Sequence, residues 1–141
     1  MKTVEIEWRS GGERFEARGH SGVPVRLDAP RFDPASAPAG PSPSELLLVA
    51  AGACAAWDVV EILHKQRVAV DSIDVRVGGE QDEDPPWTFR DIRVHFTVRG
   101  RDIDADRVEK AVRLSESTYC SVIATVRGAA DVTVTSEVVS S

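Results

Sequence analysis

The chain has 141 residues, 42% hydrophobic and 28% charged, with 17 basic against 23 acidic side chains and so a formal net charge of −6. That length suits one domain, residues 1–141, with a core of its own, and that composition excludes a disordered or low-complexity chain. The basic residues are scattered, which excludes nucleic acid as a partner, since its binding rests on Lys and Arg clustered against phosphates.

The opening MKTVEIEWRS has no basic segment leading into an apolar run, so no secretory signal is expected and the protein is placed in the cytosol. In residues 3–9, Val4, Ile6 and Trp8 alternate with polar neighbours, the period of a half-buried strand. Ser10-Gly11-Gly12 then predicts a turn, and ERFEARG the return strand of a hairpin. A third short strand is expected over residues 23–28. From Ala29 to Pro43 the chain carries five of its eight prolines, which predicts a loop.

Ser42-Pro43-Ser44-Glu45 reads as a helix start: a capping serine, a proline in the first turn and a glutamate three residues after the cap. The helix is expected to run to about Gln66, roughly 22 residues and about 33 Å. Between Leu46 and Trp57 it carries no charge. That stretch is too short to cross a bilayer, so a core helix is expected and no membrane partner. A helix apolar on every side must be enclosed on every side. One sheet can cover one side and a second copy of the chain the other, which predicts a homodimer.

Val70, Ile73, Val75 and Val77 predict a strand ending at Gly78-Gly79. The acidic turn QDEDPP follows, and then Ile92, Val94, Phe96 and Val98 alternate through a second long hairpin arm. ADRVEKAVRLSE, preceded by Asp102 and Asp104, predicts a helix with Val108, Ala111, Val112 and Leu114 or Ser115 as its apolar stripe. Ser117-Thr118-Tyr119 predicts a further helix start, CSVIATVRG its body and Gly128 its stop. DVTVTSEVV closes the chain as an alternating strand. The order is that of an α+β fold with mainly antiparallel sheet.

The chain holds two cysteines. Cys54 lies mid-helix among Ala50, Ala51, Ala53, Ala55 and Ala56, which leaves its sulfur room to meet a substrate or a second thiol. A free cysteine in such a row is equally a small core residue. Cys120 follows a predicted helix start, where unpaired N–H groups and the helix dipole lower a thiol pKa. Asp58, one turn after Cys54, would raise that of Cys54. Local sequence therefore makes Cys120 the easier thiolate. If the two sulfurs meet, a thiolate can attack an O–O bond, become a sulfenic acid and condense to a disulfide. Such condensation requires Cα atoms roughly 4.4–6.8 Å apart.

His20, His64 and His95 fall in no ligand spacing, so neither metal nor cofactor is expected. Ser115, Ser117 and Ser121 form no nucleophile elbow. Trp57, Trp87 and Tyr119 are expected in the core, with Trp57 also placed to line an apolar substrate pocket beside Cys54.

SPSELLLVAAGACAAWDVVEIL together with YCSV at the second helix start resembles the OsmC/Ohr family over nearly the whole chain, most closely its small OsmC-like branch of unsettled activity. The resemblance implies curved antiparallel sheets around a long central helix in an intertwined homodimer. It implies thiol-dependent reduction of organic hydroperoxides, with Cys54 attacking the peroxide and Cys120 resolving. It also implies re-reduction by a dithiol, lipoyl groups among them. Family members activate the first thiol with an arginine and a glutamate. Arg14, Arg18, Arg26 and Arg31 are the candidates for the arginine, with Arg18 favoured because it borders Gly19. The family glutamate directly follows the helix-opening proline, a position held here by Ser44; Glu45 comes one residue later. Nine steps along a helix put Glu45 and Cys54 on opposite sides, about 13 Å apart. Glu45 could then act on Cys54 only across a dimer or around a frayed first turn, and otherwise it completes the capping box. Two functions stay open: a dithiol peroxidase, and a catalytically inactive relative that binds a small apolar ligand or partner in the helix-lined cavity.

Overall fold

The structure, a computed structural model, describes residues Met1–Ser141. The chain forms two compact units, Met1–Leu47 and Leu48–Ser141.

In the first unit, β1 (Glu5–Glu7), β2 (Arg14–Arg18) and β3 (Pro24–Asp28) form an antiparallel sheet in chain order. Ile6 lies opposite Ala17, and Phe15 opposite Leu27. The β1–β2 turn uses Gly11 at φ +82°, a conformation that costs glycine nothing. The proline-rich loop returns to β3: Asp28 N donates to the Pro41 carbonyl at 3.0 Å, and the Asp28 carboxylate accepts from Ala39 N at 3.2 Å. At the start of helix α1 (Pro43–Lys65) the capping box forms as expected. Glu45 N donates to Ser42 Oγ at 3.2 Å, and Ser42 N donates to Glu45 Oε2 at 2.7 Å. The Ser42 N–H holds the Glu45 carboxyl below its ordinary range.

The second unit contains the rest of α1 and a sheet of β4 (Ser72–Gln81), β5 (Phe89–Gly100) and β6 (Asp131–Ser140), with β5 central. Along β5 the alternation expected from sequence is seen as Ile92, Val94, Phe96 and Val98 buried with charged or polar residues between them. These four pack with Ala55, Val59 and Leu63 of α1, and with Val108, Ala111 and Val112 of helix α2 (Ala105–Leu114), in one cluster. Asp104 caps α2, its carboxylate accepting from Asp106 N at 3.0 Å. A π-helical turn, Ser115–Tyr119, follows α2 and leads into α3 (Ser121–Val126).

Three features depart from the sequence reading. β6 runs parallel to β5, so the second sheet is mixed, while the other three strand pairings are antiparallel as expected. α2 and α3 make the crossover that parallel pairing requires, where a tight turn would have given a hairpin. The last helix is capped by Cys120, since Ser117-Thr118-Tyr119 belongs to the π-helical turn. Trp57, Trp87 and Tyr119 are exposed, at 71%, 56% and 58%, and form no part of the chain's core. The chain encloses α1 on one face only. Ala51, Ala55, Val59 and Leu63, each one turn after the last, are buried, while Val49, Trp57 and Val60 on the other side face outward.

Gly52 sits on the buried face. A Cβ there would lie 2.6 Å from Val77 Cγ2 and 3.5 Å from Val75 Cγ1, and a β-branched valine on a strand has little freedom to yield. Gly52→Ala should therefore lower stability by about 1–3 kcal/mol through overpacking, although alanine is the better helix former by roughly 1 kcal/mol. Urea unfolding checks this, and a midpoint equal to or above that of the parent protein would contradict it.

Candidate dithiol site

Cys54 stands on α1 one residue before the buried Ala55, so the turn that seats the helix on the sheet also fixes the cysteine's depth. Its side chain is half-buried. Asp58 follows one helical turn later on the same face. Cys120 arrives from the opposite end of the unit. Its backbone N–H donates to the Ser115 carbonyl at 2.9 Å, closing the π-helical turn, and its Sγ accepts from Ile123 N at 3.4 Å as the cap of α3. Cys120 is only 2% exposed.

These elements bring the two sulfurs and an Asp58 carboxylate oxygen within 4.8 Å of one another. The thiols are free. Ser115, 1% exposed, donates its hydroxyl to Asp58 Oδ2 at 3.0 Å, with the Ala55 carbonyl oxygen at 3.3 Å the other acceptor in reach. A carboxylate of otherwise free rotation is thus held toward the sulfurs. Beside it opens a cleft of about 340 Å³ whose walls include Asp58, Ile62, Leu114 and Tyr119. Read as a metal site, the cluster supplies three donors where a closed zinc site takes four. Read without a metal, the same atoms form a dithiol with a neighbouring carboxylate.

Cys120 does not carry the lowered pKa expected from sequence. Burial, reinforced by the neighbouring Cys54 thiol, pushes the Cys120 thiol up to about 11, and the N–H groups of Ile123 and Val122 only partly oppose it. The helix-cap environment read from sequence is present, but desolvation outweighs it because a thiolate loses more on leaving water than a short helix returns. Cys120 therefore keeps its proton, and the thiol presented to solvent is Cys54.

Arg18 lies in β2, where its guanidinium pairs with the Glu16 carboxylate. Glu45 is engaged by Ser42 at the start of α1. The sequence reading treated Asp58 only as a charge and missed its partner Ser115. The available signal was a serine in phase with Val108, Ala111 and Val112 on the apolar stripe of α2: a hydroxyl at a core position implies a buried acceptor.

The family model described as OsmC-like protein matches residues 35–135. Protein YhfA of Escherichia coli (strain K12) is 38% identical over 136 residues, covering 96% of this chain and 97% of that one. The crystal structure of a hypothetical protein from Aquifex aeolicus VF5 is similar with a TM-score of 0.84 at 29% identity, covering 100% of this chain and 98% of that chain. The organic hydroperoxide resistance protein OhrB of Bacillus subtilis has a TM-score of 0.62 at 22% identity over 97% of this chain and 98% of its own, a likeness of fold.

In a Cys54→Ser variant, thiolate absorbance should report Cys120 alone. Its midpoint should stay above the ordinary thiol value of about 8.5, because burial is the larger cause of the shift. A midpoint at or below 8 would contradict the assignment. In the parent protein the folded thiol binds its proton more tightly than the unfolded one. The stability this confers is complete below about 8.5 and is lost as pH rises from there through about 11.

Proposed function

This chain belongs to the OsmC-like protein family, and on that footing we propose that it reduces organic hydroperoxides through the Cys54–Cys120 pair. The observation that carries the reading is the ordering of the two sulfurs: a half-buried one in front and a buried, proton-retaining one within 4.8 Å behind it. The accessible Cys54 thiolate attacks the terminal oxygen of R–O–O–H. The O–O bond breaks, the alkoxide leaves as ROH, and Cys54 becomes a sulfenic acid. Cys120 then displaces hydroxide from that sulfur, giving a disulfide and water. An external dithiol, a lipoyl group among the candidates, restores both thiols by exchange. The cleft beside Asp58 has an apolar wall of Ile62, Leu114 and Tyr119 alongside the polar side chains of Glu61, Lys65 and Gln66, and the proposal seats the R group against that apolar wall. Arg18 and Glu45 enter the proposal as the supporting cation and carboxylate. Each would have to exchange its present partner, Glu16 or Ser42, for the site.

The proposal places both units in one OsmC-like domain and the protein in the cytosol as a homodimer. The outward face of α1, with Val49 54%, Trp57 71% and Val60 52% exposed, is the surface that a second copy would cover. A catalytically inactive relative that binds a small apolar ligand is the second reading, favoured by the same cleft and by Ser44 standing where the family glutamate is expected.

Reduced protein challenged with cumene hydroperoxide should lose two thiols per chain and turn over with dihydrolipoate, and Cys54→Ser should abolish both. Thiol loss no faster than that of free cysteine, with apolar ligand binding retained in Cys54→Ala, would instead favour the binding protein. By sedimentation the parent should be a dimer and Trp57→Glu predominantly a monomer. A parent that sediments as a monomer at micromolar concentration would remove the dimer from the proposal.

A further inference from the structure

Resolution poses a difficulty that the two cysteines alone do not solve. Cys120 must become nucleophilic to close the disulfide, yet it is 2% exposed. Bulk water is therefore poorly placed to take its proton. The hydroxide leaving Cys54 must at the same moment gain a proton to depart as water. One group near both sulfurs could serve both ends. We infer that Asp58, held by Ser115, is that group: a proton relay for the resolution step, carrying the Cys120 thiol proton to the departing hydroxide.

Three observations support the assignment independently of any family property. Asp58 lies one turn after Cys54, so it projects from α1 on the same side as the sulfur it would serve. Its carboxylate oxygen is within 4.8 Å of both Sγ atoms, a span that a single bridging water covers. Finally, a buried hydroxyl meets it: Ser115 Oγ donates to Oδ2 at 3.0 Å, the nearer of its two acceptors, the Ala55 carbonyl oxygen lying at 3.3 Å. The other charged side chains around the cleft, Glu61 and Lys65, are tied to each other at 3.1 Å, and Glu61 also accepts from Trp57 Nε1 at 3.1 Å. The firm hold of Cys120 on its proton makes the need for a relay greater.

The step balances. The Cys120 proton passes to Asp58 as the Cys120 sulfur attacks Cys54 Sγ. The S–S bond forms and the S–O bond breaks, with its electron pair leaving on oxygen. Asp58 returns the proton to that hydroxide, so that sulfenic acid plus thiol become disulfide plus water and the carboxylate is unchanged. Ser115 is a positioning residue and takes no proton.

The inference rests on the peroxidase reading for its biological meaning, but its test need not. Rapid-quench mass spectrometry with a sulfenic-acid trap follows both steps after cumene hydroperoxide is added. Because Asp58 also walls the cleft, the readout in Asp58→Asn is the rate of disulfide closure measured on the sulfenic acid already formed, whatever the rate of its formation. Closure of the disulfide should slow by about 10²–10⁴-fold, the usual range for a lost general acid–base group. Asp58→Glu should recover most of that loss, and Ser115→Ala, which keeps the carboxylate but frees it, should slow closure by about threefold to tenfold. General damage to the fold would slow both steps and would not be mended by glutamate. If no peroxide oxidises the parent protein, the peroxidase reading fails, and diamide then tests the relay alone. Diamide forms an adduct on Cys54 that Cys120 must displace, and Asp58→Asn should slow that displacement by the same factor. Disulfide closure in Asp58→Asn at the parent rate, with either oxidant, overturns the inference.

Discussion

Two sulfur atoms share one small volume here only because α1 lies close against the second sheet. The helix can lie that close because Gly52 leaves room for Val77, and Ala51 and Ala55 keep the same face shallow. Side chains seat it further along: Val59 and Leu63 are wholly buried against the row that β5 presents. The depth of the first turns fixes where Cys54 sits, and the placement of α3 fixes Cys120. Close packing makes such an arrangement stiff, because the interior has no slack into which either element could drift.

That stiffness explains why chemical roles differ between two residues of the same type. A thiol on the open side of a helix keeps contact with solvent; one used as a helix cap in the interior does not. Desolvation and a neighbouring sulfur hold the proton on Cys120, while Cys54 is the more exposed of the two sulfurs. The carboxylate of Asp58 belongs to the same arrangement: Ser115, buried at the end of α2, turns it toward the pair.

Much of the fold could be read from residue order because its determinants are local. The box of Ser42 and Glu45, the alternation from Ile92 to Val98 and the cap at Asp104 are interactions between near neighbours, and each was legible. The pairing of β6 was not, since direction depends on what the intervening helices do and an alternating strand looks the same either way. The boundary at Ser117 misled because serine and threonine fit a wide turn as readily as a cap. At the site, the two cysteines and the charge of Asp58 were legible, but the raised pKa of Cys120 was not. Residue order reports the N–H groups near Cys120 and says nothing of how much water the fold removes. The outward aromatics belong to the same class: a helix apolar all round announces that something must cover it, without telling how much of the cover the chain itself supplies.

The π-helical turn at Ser115–Tyr119 carries one consequence for how such a chain can vary. A turn of this kind holds an extra residue relative to an α-helical one and so resets the phase of everything that follows. Losing a single residue there would rotate what lies beyond by about 100° and carry Cys120 away from its partner without changing any side chain at the site. The five-residue stretch, which begins with Ser115, acts as a phase-setter between α2 and the helix that Cys120 caps. Its length should therefore tolerate less change than its composition, and Glu116, Thr118 and Tyr119 could be exchanged far more freely than deleted.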